Sequence, residues 1–155
     1  MPACETKYFG SLRYEPGTAV EFTSGLPGFE ARRRFLLIED QARRPVVFLQ
    51  SLEDPHLCFL TLPVLAIDPG YQLKIPAEDL RALGLETAAQ PAPGQSPLIC
   101  LAIVSVEPDG TSTANLLAPV VIRRDNGRAV QAVRDDAVYN CRHVLFAPSA
   151  ESPCL

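Results

Sequence analysis

A mostly β fold with one short helix is what this sequence predicts, arranged as an antiparallel barrel or sandwich in a single domain. Short runs rich in Val, Ile, Phe and Tyr recur along the chain, parted at near-regular spacing by Gly, Pro, Asn and Asp. Proline is abundant, 15 in 155 residues. It cannot donate to a ladder or sit inside a helix, so the elements are short and firmly ended. The run Leu98–Val106, LICLAIVSV, is almost wholly apolar without alternation, as a central strand covered on both faces requires.

In chain order, Lys7–Tyr14 and Ala19–Thr23 read as two short strands around Pro16-Gly17. Gly25–Glu30, GLPGFE, packs two glycines and a proline into six positions and so forces a tight, specific backbone path. Arg34–Glu39 and Val46–Gln50 are strands parted by the polar loop Asp40–Pro45, and Ser51–Pro55 turns the chain at Asp54-Pro55. Leu57–Leu62 is a strand ended by Pro63. Val64–Ile67 is a further strand stopped by Asp68-Pro69-Gly70, and Tyr71–Ile75 is one more. The helix runs from Pro76 to Gly84: Glu78 and Asp79 suit its positive N-terminal end, Gly84 suits the C-cap, and Leu80 and Leu83 form an apolar face. It is too short to stand alone and must dock on a sheet.

Thr87–Pro97 reads as an exposed loop. After Leu98–Val106, Pro108-Asp109-Gly110 turns the chain into Ser112–Leu117. Asn115–Gln131 then forms a strand, a turn and its return. Val120, Val121 and Ile122 suit a pleated surface, and Asp125-Asn126-Gly127 suits a type I′ turn or a short bulged loop. Tyr139–Phe146 closes the domain, which spans 1–146, and 147–155 is a frayed tail.

The formal charge of −4 and a pI near 5.2 argue against nucleic acid as a direct partner. The one basic run, Arg32-Arg33-Arg34, lacks interleaved aromatics and reads as a solvated loop or strand entry. No stretch approaches the ~18 apolar residues of a membrane span. Met1–Gly10 holds Glu5 and Lys7 and no apolar run, so no secretory leader is expected. Cysteines at 4, 58, 100, 141 and 154 form no CxxC pair, so free thiols in a reducing cytoplasm are expected, and no zinc site.

The only histidines, His56 and His143, have no nucleophile motif beside them and no spacing suited to a metal. No glycine loop is built to cradle phosphate. The acid pairs Glu53-Asp54, Glu78-Asp79 and Asp135-Asp136 read as a turn, a helix start and a loop. Neither an enzyme nor a cofactor protein is expected. An enzyme would show a pocket holding His143 or Cys141. Phe29 reads as a core plug beside its turn or, failing that, as a surface contact. Glu53 and Asp54 read as exposed rim charges that set partner choice.

Taken in order, Thr6–Gly10 (TKYFG), GLPGFE, Leu49–Pro55 (LQSLEDP), Asn115–Ile122 (NLLAPVVI), the Gly127–Gln131 return strand and Tyr139 with Arg142-His143 resemble the FliW family of flagellar assembly factors, over nearly the whole chain. The loop 87–97, the tail from Ala147, and Arg123-Arg124 depart from the family pattern. The resemblance implies a small antiparallel β-barrel-like domain, cytoplasmic and non-enzymatic. It implies two protein partners, flagellin and the translational regulator CsrA, whose repression of flagellin translation such a protein relieves. Nothing demands more than a monomer. Phe29, Glu53, Asp54 and Asn115 are the candidate partner-binding residues. The alternative is a small-molecule-binding β-barrel, with a ligand where side chains would otherwise sit. Leu98–Val106 with Phe35, Phe48 and Phe59 points instead to a filled interior.

Overall fold

The computed structural model describes residues 1–148, so most of the predicted tail lies outside the described residues. The first strand prediction is corrected: Lys7–Tyr14 is not one strand but the tip and return arm of a hairpin, β1 (Ala3–Thr6) and β2 (Gly10–Arg13). Thr6 bends the chain. Its hydroxyl accepts from Phe9 N and donates to Gly10 O, both at 2.8 Å, and Gly10 takes a φ of 68°.

The barrel proper follows: β3 (Ala19–Phe22), β4 (Arg34–Glu39), β5 (Val47–Ser51), β6 (Cys58–Pro63), β7 (Leu98–Val106), β8 (Ser112–Ala114), β9 (Val120–Arg123), β10 (Arg128–Gln131) and β11 (His143–Phe146). Seven of these strands close a ring in the order β7-β6-β5-β4-β3-β10-β9, sealed by β9 pairing back onto β7. The pairings are antiparallel except β3 with β10, which run parallel. β9 pairs with Leu98–Leu101 and β8 with Val104–Val106, so the chain from Ser112 to Arg123 follows β7 with a break between Asn115 and Pro119. β11 adds an edge beyond β8.

Strand alternation divides the core in two. Phe22, Phe35, Leu49, Leu101, Val120 and Ile122 point inward and are all 0 % exposed. Phe22 and Phe35 meet edge to face, 5.4 Å between centroids. Leu98, Cys100, Ala102, Val121 and Val130 point outward, beneath two short helices and an extended segment. β7 is therefore covered on both faces over Leu98–Val104, as its lack of alternation predicted, while Ser105 and Val106 at its end are exposed. The interior is filled by side chains, which tells against the ligand-holding alternative. Phe48 is the exception to the predicted interior set. It faces out of the barrel, where Phe9 packs edge-on against it at 5.2 Å.

Two further strand predictions fail for tertiary reasons. Val64–Ile67 is a one-turn helix, α1, closed by Asp68 N donating to Val64 O, because Pro63 ends β6 and Val64 buries in the outer core. Tyr71–Ile75 keeps a strand's alternation, with Tyr71, Leu73 and Ile75 buried, but among the described residues no strand pairs with it. Side chains take the place of a ladder: the Gln90 amide both accepts from Ile75 N (2.7 Å) and donates to Ile75 O (3.0 Å), and Arg134 donates to Gln72 O. Gln90 thereby ties down the otherwise irregular 87–97 loop.

The predicted helix is α2 (Ala77–Ala82), seated by buried Leu80 and Leu83. Arg123, the charge that departs from the family pattern, satisfies its C-terminal end by donating to Leu83 O and Gly84 O. The β9–β10 connection is the bulged form rather than type I′, because Gly127 (φ 69°) has positive φ and Asn126 does not. The last strand is shorter than predicted: Tyr139 leaves it to stack on Tyr71, 4.4 Å between centroids.

Candidate functional site

At one end of the barrel the loops 23–33 and 51–57 lie side by side. Gly25 (φ 72°) and Gly28 (φ 84°) fold the first loop back on itself, so that Leu26 and Phe29 pair across an isolated bridge. Leu26 plugs the barrel at 1 % exposure, while Phe29 stays 40 % exposed with its ring edge-on to Phe59 at 5.3 Å. The core-plug reading of Phe29 is corrected: Leu26 takes that place, and Phe29 packs against Phe59 with the rest of its ring open to solvent. Glu30 Oε1 accepts from Gly28 N, and hydrogen bonds from its own backbone amide and that of Gly28 hold its carboxyl below the ordinary carboxylate value.

The second loop is fixed from beneath. Ser51 Oγ accepts from Glu53 N (3.0 Å) and Asp54 N (2.9 Å), shaping the turn. Fully buried Gln50 sends its amide Nε2 among four carbonyls, those of Ser51, Asp54, Pro55 and Leu57, at 3.1–3.4 Å. Glu53 joins the two loops: its Oε1 accepts from Arg33 N (2.7 Å) and Arg34 N (2.9 Å). The amides of Arg34 and Arg33 hold its carboxyl below the ordinary value. Asp54 caps His56 N at 3.0 Å through Oδ1, and its Oδ2 lies 3.6 Å from Arg32.

Phe29, Glu53 and Asp54 are thus brought to one surface, whereas Asn115 is elsewhere. Asn115 Oδ1 accepts from Ala118 N (3.0 Å) and makes the break between β8 and β9, and its own N donates to Ile103 O. Among the described residues no hydrogen bond links it to the two loops. Arg32 stands exposed just before β4, as a solvated strand entry should, and lies beside Asp54, whereas Gln50 is the residue that sequence reasoning missed. A glutamine closing an apolar strand carries no signal until the turn wraps round it.

His56 sits in its turn with its side chain 76 % exposed, 3.8 Å from Asp54. Burial pushes the Cys58 and Cys100 thiols up to about 11, the reverse of what a nucleophile requires. Among the described residues no group of three or more His, Cys, Asp and Glu could hold a metal ion. No helix of the described chain is long and apolar enough to cross a membrane.

A family model described as FliW protein matches residues 3–145. This chain belongs to the FliW family. The flagellar assembly factor FliW of Treponema denticola is 32 % identical over 144 residues, 92 % of each chain. That of Syntrophotalea carbinolica is 32 % identical over 139 residues, 90 % of this chain and 94 % of the relative. A crystal structure of the flagellar assembly factor FliW superposes with a TM-score of 0.81 at 27 % identity, covering 94 % of this chain and 98 % of that one. The protein is accordingly a flagellar assembly factor. The motifs that carry the FliW resemblance each shape a particular piece of backbone. GLPGFE makes the doubled-back loop, LQSLEDP the turn that Gln50 and Ser51 hold, and NLLAPVVI the broken strand along β7.

Proposed function

We propose that this protein works by protein–protein binding rather than catalysis. It takes flagellin as one partner and the translational regulator CsrA as the other, and capture of CsrA relieves repression of flagellin translation. Membership of the FliW family carries this reading. Two structural features support it. The barrel interior is filled, which leaves the surface to do the work. The paired loops are held in one shape before any partner arrives, which lowers the ordering cost of binding. Phe29 is the apolar anchor of that surface, Arg32 and Asp54 supply its charges, and Glu53 holds the loops in place. Asn115 is a structural residue of the β8–β9 break.

Calorimetric titration with the same organism's flagellin and, separately, its CsrA tests the reading, with a second series that preloads one partner. Saturable binding to both, each weakened by Phe29→Ala by about 1–2 kcal/mol, is expected. Asp54→Asn keeps the His56 cap and removes the charge, and should flatten the salt dependence of the association rate. Binding of flagellin alone would leave an assembly role without translational control. No complex with either partner would overturn the proposal.

A further inference from the structure

The β1–β2 hairpin lies against the outer wall of the barrel as a separate two-stranded sheet. Its tip is held by Lys7 N donating to Pro55 O at 2.9 Å and by the edge-on packing of Phe9 on Phe48. Between tip and wall runs a groove of about 350 Å³, lined by Tyr8, Phe9, Arg43, Phe48, Cys58 and Leu60. Phe48 and Leu60 face each other across β5 and β6 and form its floor. Tyr8, 61 % exposed, stands at its side. Cys58 contributes a neutral thiol.

Among the described residues, the only charged group lining this groove is the Arg43 guanidinium, whose partner carboxylate, Asp40, stands outside the lining. In a protein of net charge −4, its lining carries a cation and no carboxylate. The larger cleft by β3 and β4 sets Glu39 beside Arg124, and the cleft by α2 carries Glu78 and Asp79. Arg43 gives Nη1 to Asp40 at 2.7 Å and retains further N–H donors, and its side chain is 61 % exposed. Lys7 Nζ lies 5.4 Å from the Tyr8 ring centroid, so a second cation stands beside the groove.

We propose that this groove is a docking site for a short segment of a protein partner. The segment lays a bulky apolar side chain between Tyr8 and Leu60 and sets a carboxylate against Arg43 and Lys7. The aromatic lining supplies affinity, and the cations select an acidic neighbour over a basic one. The groove adjoins the 51–57 loop, where Lys7 N meets Pro55 O, and is defined by its own lining.

The test is titration of the full, ¹⁵N-labelled chain with two acetylated and amidated peptides, Glu-Leu-Leu-Glu and its neutral counterpart Gln-Leu-Leu-Gln. Saturable amide shifts confined to residues 7–10, Arg43, Phe48 and residues 58–60 are expected, with the acidic peptide about fivefold tighter at low salt. Arg43→Glu should remove that preference. Tyr8→Ser, at an exposed position, should weaken both peptides while the signals of the interior strands stay in place. Shifts elsewhere, no shifts, or equal affinity for the two peptides would overturn the proposal. So would groove signals that move with protein concentration alone, since a second copy of the chain would then be the occupant.

Discussion

Gly25 and Gly28 sit in the same loop at similar positive φ, yet they are not equivalent. A Cβ on Gly25 would lie 2.7 Å from Glu30 Cα and 3.0 Å from Glu30 O, both backbone atoms that cannot step aside. A Cβ on Gly28 would meet nothing within 4 Å. Gly28→Ala should therefore cost only the left-handed backbone penalty, about 1–2 kcal/mol. Gly25→Ala adds the clash and should cost about 3 kcal/mol or more, a ranking that urea unfolding of the two variants would check. Sequence reading recognised that the glycines force a tight path but not which of them is enclosed. Enclosure depends on Glu30 returning across the loop, and a one-dimensional pattern does not record that return. The same limit applies to Glu53: an exposed acid in a turn looks like a rim charge, and its backbone partners lie 19 and 20 residues back along the chain.

Among elements, the two loops of the candidate surface depend on one carboxylate. Its folded value lies below the unfolded value of about 4.5, so the stabilisation from Glu53 is complete above that value and is lost as pH falls through the folded one. Glu53→Gln keeps an oxygen for the Arg33 and Arg34 amides and removes the titration. The urea midpoint of the variant should thus fall less than that of the parent between about pH 5 and pH 3. Part of the acid loss should remain, because Glu30, Asp68, Asp109, Asp135 and Asp136 are also held below their ordinary values. Identical acid limbs would show that the loops do not depend on the Glu53 charge. At α2, polar side chains of the neighbouring turn become structural. Arg123, Asn126 and Arg128 all reach back to carbonyls of Ala82, Leu83 and Gly84, so the β9–β10 turn and the helix hold each other.

At the scale of the whole molecule, Arg134 fastens the segment after β10 to the outer core. Its guanidinium grips Asp136 with two nitrogens, at 2.9 and 3.0 Å, and donates to Gln72 O. It also lies 5.4 Å from the Tyr71 ring centroid and 5.1 Å from that of Tyr139. Tyr71 in turn donates to Leu116 O (2.7 Å) and Tyr139 to Asp68 (2.6 Å), so one buried fork ties the 68–75 segment, the β8–β9 break and the approach to β11. A lysine supplies neither the fork nor the flat stacking surface. Arg134→Lys should cost about 2–3 kcal/mol in urea unfolding and speed amide exchange in residues 134–146, with the barrel strands β4 to β6 unaffected short of global unfolding. Uniform loss of protection across the chain would refute that division.

The sequence by itself determined most of the barrel strands, the buried character of Leu98–Val104, the position of α2 and the family to which the chain belongs. Each is written locally: in β-branched runs, in the absence of alternation, in Pro76 and Gly84, and in the order of short motifs. Only the tertiary structure decided that Phe48 faces outward, that Val64–Ile67 coils instead of extending, that Tyr71–Ile75 finds no strand to pair with, and that β3 and β10 run parallel. Val64–Ile67 coils because Pro63 ends β6 and Val64 buries in the outer core, and the other three share one physical reason. Alternation states that successive residues of a strand face opposite ways, but which way is inward, and which strand lies alongside, follow from how the ring closes. The candidate surface obeys the same rule: its residue types stand in plain view in GLPGFE and LQSLEDP, and their meeting waits on Glu53 reaching the amides that open β4.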